Sequence, residues 1–100
     1  MLFLVIARLV EGTPLEQVLP LVKPESAKIW EYYAADRVRS VYYFADMSGA
    51  VMLYEAANLA DAQAAIVQLP MGKAGVLTFE IISLKPYTGF EQLFTDHKGS

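Results

Sequence analysis

The chain has 100 residues, of which 55% are hydrophobic and 19% are charged, and its formal net charge is −3. The length is that of one domain, and so large an apolar fraction predicts surplus apolar surface that a second copy would cover. The acidic balance and the scattered basic residues exclude the basic patch that a nucleic-acid partner requires. Because the chain contains no cysteine, disulfides and thiol chemistry are excluded, and a cytoplasmic location is expected.

The chain opens with an apolar run over residues 2–10. It is too short to span a membrane, and it lacks the basic start of a signal peptide, so we predict a buried strand. A helical piece begins near Pro14, and Pro20 and Pro24 interrupt its periodicity, so a separate second helix is predicted over residues 24–35. Helical spacing predicts that its inner face carries Ile29, Trp30, Tyr33 and Ala34.

Residues 37–56 carry the strongest local signal, that of a β-hairpin. Two β-branched and aromatic runs flank the turn-forming residues 46–49. Pairing Ala45 with Ala50 makes both faces of the hairpin apolar, so the sheet needs cover on both sides. One face then carries Val38, Tyr42, Phe44, Val51 and Leu53, and the other carries Val41, Tyr43, Met52 and Tyr54.

The second half of the chain completes an alternating pattern. Asn58 caps a predicted alanine-rich helix over residues 59–68, a loop follows over 69–75, and a last strand covers 76–84. The element order βαββαβ predicts an α+β, ferredoxin-like fold, with a four-stranded antiparallel sheet and the helices on one face.

We predict a single domain over residues 1–95. Within it, the aromatic segment 86–94 is predicted to form an ordered latch that packs on the rim of the barrel. The polar residues 96–100 are predicted to be disordered.

Several motifs resemble those of the muconolactone-isomerase-like group. They are Leu-Val-Ile-Ala-Arg at residues 4–8, Ile-Trp-Glu-Tyr-Tyr at 29–33, the segment from Asp46 to Glu55, Leu69-Pro70, and the segment from Phe79 to Pro86. The resemblance implies a homodimeric α/β barrel with two sheets face to face. It also implies proton transfer on a small unsaturated or aromatic acid without a cofactor. Related barrels include cofactor-independent monooxygenases, haem-degrading enzymes and proteins of unknown role, and no catalytic residue set carries over residue by residue.

Glu55 and Tyr42 are the candidate catalytic pair. In the predicted register Glu55 lies across from Ser40 and diagonal to Tyr42, so a carboxylate meets a phenol and a hydroxyl. In apolar surroundings the pKa of the carboxylate would rise, which suits a general base near neutral pH. The competing interpretation is a strand-end glutamate that is solvated or paired with an arginine.

A second set of residues is predicted to bind the ligand. Arg8 has the geometry to hold a carboxylate at two points, and Arg39 lies among apolar strand residues. A pocket for a planar ligand would be lined by Trp30, Tyr33, Tyr42, Tyr43 and Tyr54. The alternatives are an ion pair near a strand end for Arg8, and ordinary core or dimer interface for the aromatic residues.

No metal or cofactor is predicted, because the chain has one histidine, His97, and no cysteine. Three classes of function fit the element order: an isomerase-like enzyme, a non-catalytic dimeric ligand-binding or structural module, and an RNA-recognition domain. The third is excluded because residues 49–55 lack the basic and stacking aromatic positions of the RNA-binding signature. The first two stay open.

Overall fold

The computed structural model describes residues 1–95, so the predicted disorder of residues 96–100 lies outside the described part. The elements in chain order are β1 (Leu2–Leu9), α1 (Leu15–Ala34), β2 (Val38–Tyr43), β3 (Gly49–Glu55), α2 (Leu59–Ile66), the one-turn helix α3 (Pro70–Lys73) and β4 (Leu77–Leu84). The four strands form one antiparallel sheet in the order β2-β3-β1-β4. The predicted α+β, ferredoxin-like order is confirmed, and α3 adds a turn of helix inside the predicted loop.

The core lies between one face of the sheet and the two longer helices. Strand alternation turns Phe3 and Val5 toward the helices, and the register pairs them with Tyr54 and Met52 of β3. The core is completed by Val38, Ala56, Ala62, Ile66 and Leu69. We refer to this side of the sheet as the helix-covered face.

α1 is one continuous helix of 20 residues, so the prediction of two pieces separated by Pro20 and Pro24 is wrong. The prolines are four residues apart, which places them on the same side of the helix, and both are exposed. Each removes one backbone N–H, and water can satisfy the carbonyl groups that this leaves free on the outer side. The predicted inner face is also wrong in part, because Trp30 and Tyr33 are 66% and 49% exposed. Neither α1 nor any other helix within residues 1–95 is long and apolar enough to cross a membrane.

The hairpin between β2 and β3 has a register two residues away from the predicted one, with Tyr43 opposite Ala50. The connecting loop is therefore longer and covers residues 44–48. Asp46 holds it, because Oδ1 accepts hydrogen bonds from the backbone N–H of Ser48 at 2.9 Å and from its hydroxyl at 2.6 Å. A slip of two residues keeps the side chains of residues 40–43 and 50–54 on their predicted faces.

A β-bulge interrupts β2 at Arg39, because Val38 pairs with Tyr54 while Ser40 pairs with Leu53. The extra residue reverses the alternation before it. Val38 therefore points to the helix-covered face, where it is 2% exposed, rather than sharing a face with Tyr42 as predicted.

The other face of the sheet, which we call the open face, carries no helix of the described chain. The strand registers place Leu4, Ile6, Val51, Leu53 and Ile82 along its centre. Two ion pairs flank this apolar centre: Arg8 Nη1 lies 3.2 Å from Glu80 Oε1, and Arg39 Nη2 lies 3.4 Å from Glu55 Oε1. An apolar centre within a polar rim is the usual composition of a protein–protein interface.

The C-terminal segment over residues 85–95 leaves the sheet after β4. A 3₁₀ turn spans Gly89–Leu93, and the rings of Tyr87 and Phe90 meet edge to face at 4.9 Å. The large apolar side chains of this segment are 64–86% exposed. Its packing on the rim of a barrel stays a prediction.

Candidate functional site

A cavity of about 180 Å³ lies between α1 and the helix-covered face of the sheet. Every strand and α1 contribute to its walls, together with Leu69 and Met71 at the start of α3. An apolar cavity of roughly 150 Å³ takes up benzene, so this space accommodates a single ring with small substituents.

The cavity exists because side chains shrink along two adjacent strands. On β1 the inward positions run from Phe3 to Val5 to Ala7, and on β3 the positions opposite them run from Tyr54 to Met52 to Ala50. The large end of each series fills the core beneath α2. The small end leaves space beneath α1, since Ala7 and Ala50 both line the cavity.

Glu25 is the single acidic residue among the side chains of residues 1–95 that line this cavity. It is 7% exposed, and its Oε1 accepts a hydrogen bond from the backbone N–H of Met71 at 2.9 Å. Burial raises the pKa of Glu25, and the hydrogen bond from Met71 opposes this to a smaller extent. The cavity therefore contains a carboxylate that is a stronger base than a solvated glutamate.

The hydrogen bond to Met71 also explains why a glutamate is tolerated at this position. Pro70 and Met71 begin α3, where backbone N–H groups have no partner within the helix. Proline has no N–H to satisfy, and the Met71 N–H is satisfied by Glu25, which belongs to a different element. The carboxylate thus joins the middle of α1 to the start of α3.

Two hydroxyl groups complete the polar part of the lining, those of Tyr43 and Ser26. Tyr43 is 67% exposed, so it stands at the mouth of the cavity. Of the aromatic residues predicted to line a pocket, Tyr43 lines this cavity. Tyr54 is instead part of the core, where its ring meets that of Tyr32 edge to face at 5.6 Å.

Two solved structures share this arrangement of sheet and helices. The first is 5-chloro-2-hydroxyhydroquinone dehydrochlorinase (TftG) from Burkholderia phenoliruptrix AC1100 in complex with 2,5-dihydroxybenzoquinone. It is 18% identical, has a TM-score of 0.75, and aligns over 87% of this chain and 96% of that one. The second is muconolactone isomerase, with 16% identity, a TM-score of 0.72, and coverage of 89% of this chain and 93% of that one. The chain has the fold of muconolactone isomerase. No protein-family model and no curated protein matches the sequence.

The muconolactone-isomerase-like fold, a four-stranded antiparallel sheet with helices, confirms the resemblance that the motifs indicated. Those motifs lie mostly in strands and at element boundaries, which is why they identify an architecture. At 16–18% identity the likeness establishes the fold and carries no reaction with it.

Within this muconolactone-isomerase-like fold, Glu55 and Tyr42 share the open face but are not neighbours. Tyr42 lies opposite Val51, and Glu55 follows four residues later on β3, which is about 13 Å along a strand. The prediction that Glu55 lies across from Ser40 is wrong, because the register differs by two residues. Glu55 is paired with Arg39 instead, as the competing interpretation held.

The remaining predicted binding residues also lie outside the cavity. Arg8 forms the ion pair with Glu80 on the open face. Trp30 and Tyr33 stack on the outer surface of α1, with ring centroids 5.5 Å apart. None of the seven predicted site residues lines the cavity: Glu55, Tyr42, Ser40, Arg8, Trp30, Tyr33 and Arg39.

Glu25 was not predicted as a site residue, because the prolines of the sequence predicted a helix boundary at Pro24. In a helix that begins at Pro24, Glu25 occupies the first turn, where an exposed acidic residue is common. In the continuous helix, Glu25, Ile29 and Tyr32 follow each other at spacings of four and three residues and share the inner face. An acidic residue at an inward position of a continuous helix is the sequence signal that would have identified this site.

Proposed function

We propose that this protein binds a small unsaturated or aromatic molecule in the cavity and transfers a proton on it without a cofactor. The observation that supports this most strongly is Glu25, a buried carboxylate with a raised pKa beside an apolar cavity. Such a group is a suitable general base near neutral pH. One structural neighbour is named as an isomerase of a lactone and the other as a dehydrochlorinase with a bound quinone, which supports a small ring as the ligand.

The proposed step can be written for an unsaturated lactone whose double bond lies one carbon away from the carbonyl group. Glu25 removes a proton from the carbon beside the carbonyl, and the electron pair spreads through the ring to the carbonyl oxygen as a dienolate. The protonated Glu25 returns that proton to the far end of the dienolate, so the double bond becomes conjugated with the carbonyl. The hydroxyl groups of Tyr43 and Ser26 are the lining side chains that can donate a hydrogen bond to the negatively charged oxygen.

Isomerisation of α-angelica lactone to its conjugated isomer, followed by ultraviolet absorbance, tests this proposal. Wild-type protein is expected to accelerate the reaction above the rate in buffer. Glu25→Gln keeps an oxygen that can accept the Met71 hydrogen bond but removes the basic carboxylate, so kcat should fall roughly 10²–10⁴-fold.

Two further variants make the test specific to the cavity. Glu16→Gln removes an exposed carboxylate from the first turn of α1 and should leave the rate unchanged. Glu55→Gln removes one carboxylate from the open face. A loss of activity in this variant would show that Glu55, as the sequence predicted, is the general base. A wild-type rate equal to that of buffer, or full activity in Glu25→Gln, contradicts the proposal.

The second candidate function is that of a non-catalytic ligand-binding module. It is favoured by the hydrogen bond from Met71, because that contact gives Glu25 a structural role that needs no reaction. In that case Glu25→Ala should destabilise the protein, while wild type binds small ring compounds without isomerising the lactone.

We also propose that the protein is a cytoplasmic homodimer in which two open faces pack together. The support is the apolar centre of the open face, its rim of ion pairs, and the apolar surface that would otherwise contact water. The exposed aromatic side chains over residues 85–95 would be covered in the same assembly.

A further inference from the structure

The charges around the cavity indicate which ligands it accepts. Within the described chain, the lining contains the carboxylate of Glu25 and no lysine, arginine or histidine. Arg8 and Arg39, the two arginines that the sequence offered as partners for a ligand carboxylate, lie on the open face and are each held in an ion pair. A carboxylate in the cavity would therefore meet no opposite charge.

Lys28, the next cation after Glu25 along α1, also contacts other residues. Lys28 Nζ lies 2.8 Å from Glu31 Oε2 and 5.3 Å from the centroid of the Tyr32 ring. Neither Lys28 nor its partners Glu31 and Tyr32 line the cavity. The charge of Glu25 thus acts on a bound ligand without a neutralising neighbour in the lining.

We infer that the cavity selects uncharged ring compounds, and that Glu25 is the specificity-determining residue that rejects carboxylates. The inference rests on the proposed ligand site, and it narrows the substrate class from the acid that the resemblance implies to neutral lactones, quinones, phenols and amides. A ligand carboxylate would lose its hydration and stand beside a second carboxylate. Like charges placed together in a desolvated site should weaken binding roughly 100-fold or more.

The test compares phenylacetamide with phenylacetate, which have the same ring, the same chain and the same number of heavy atoms but differ in charge. Calorimetric titration of wild-type protein at neutral pH should give a Kd for the amide that is about 100-fold lower than that for the acid. Glu25→Gln should bring the two values within about tenfold of each other, because the amide side chain removes the charge and keeps the acceptor for Met71. Glu16→Gln should retain the wild-type ratio, since it removes an equal charge from an exposed part of α1.

The outcomes separate this inference from the proposed reaction. Phenylacetate binding as tightly as phenylacetamide overturns the selectivity, and so does a failure of the amide to bind. An unchanged ratio in Glu25→Gln overturns the role of Glu25. Isomerisation of α-angelica lactone tests the proposed reaction separately. Selective binding of the amide without isomerisation would exclude the proposed reaction and support the proposed selectivity. Where isomerisation occurs, phenylacetamide should inhibit it and phenylacetate should not.

Discussion

Leu4 offers the sharpest test of the proposed dimer. It lies at the centre of the open face, opposite Leu53 on one side and Ile82 on the other. Leu4→Lys would place an ammonium group in the middle of the interface. The separate protomer should tolerate the same lysine, because the open face contacts water there, and Glu55 and Glu80 occupy diagonal positions on the neighbouring strands.

The expected effect on dimer affinity follows from the position of Leu4. Its side chain is already partly buried in the protomer, so the interface adds only about a third of the 1.5–3 kcal/mol that full burial contributes, or up to about 1 kcal/mol. Enclosing an ammonium group costs several kcal/mol more. Two-fold symmetry applies both effects twice, so the total exceeds about 5 kcal/mol and the dimer Kd rises more than about a thousandfold.

Sedimentation velocity over a range of protein concentrations measures this change. Wild type should sediment at twice the chain mass and Leu4→Lys as a monomer, with the circular dichroism spectrum of the folded protein in both. Gln17→Lys, on the exposed side of α1, is the matched control and should remain dimeric. A monomeric wild type, or a Leu4→Lys dimer with an unchanged Kd, would show that the open face is not the interface.

Three further predictions concern other parts of the chain. Because the pKa of Glu25 is raised, its contribution to stability is present below about pH 4.5 and is lost as the pH rises through the folded-state pKa. Glu25→Gln should therefore unfold at higher urea concentration than wild type near neutral pH but not in acid, and a pH-independent difference would contradict this. Glu55→Gln breaks only an exposed ion pair, so the free energy of unfolding should change by less than about 1 kcal/mol, and a larger loss in thermal unfolding would assign Glu55 a structural role. Deleting residues 87–100 should weaken the dimer at least about tenfold, since one buried aromatic side chain contributes roughly 1.5–3 kcal/mol. Deleting residues 96–100 should not, and equal tolerance of both truncations in sedimentation would exclude the latch.

The sequence predicted those parts of the fold that local patterns determine. The apolar run over residues 2–10 identified β1. Asn58 was correctly predicted to cap α2, because its side chain accepts a hydrogen bond from the Asp61 N–H at 2.8 Å. The hairpin signal placed β2 and β3 but not their register, since a five-residue loop and a bulge at Arg39 change the pairing without changing the pattern. The prolines of α1 were misleading because their effect depends on which side of the helix faces water.

The candidate site was harder to predict because it depends on tertiary distances. The decrease in side-chain size from Phe3 to Ala7 is visible in the sequence, but it indicates a cavity only when the matching series on β3 is paired with it. Glu25 is buried, and its carboxylate accepts a hydrogen bond from Met71, which lies 46 residues further along the chain. Local spacing in the sequence does not show that these groups lie close together. The charged residues of the open face were predicted as site residues because they interrupt apolar strands.

The position of β1 in the sheet has a consequence for how the protein is made. β1 leaves the ribosome before β2, β3 and β4, yet one of its two edges is paired only when β4 has been synthesised. Such long-range pairing is slow because a long loop must close. Leu77 and Phe79 of β4 form one wall of the cavity, so an unfinished chain cannot enclose a ligand. A ligand of the cavity should therefore stabilise the complete sheet selectively, and adding it during expression should increase the yield of folded protein.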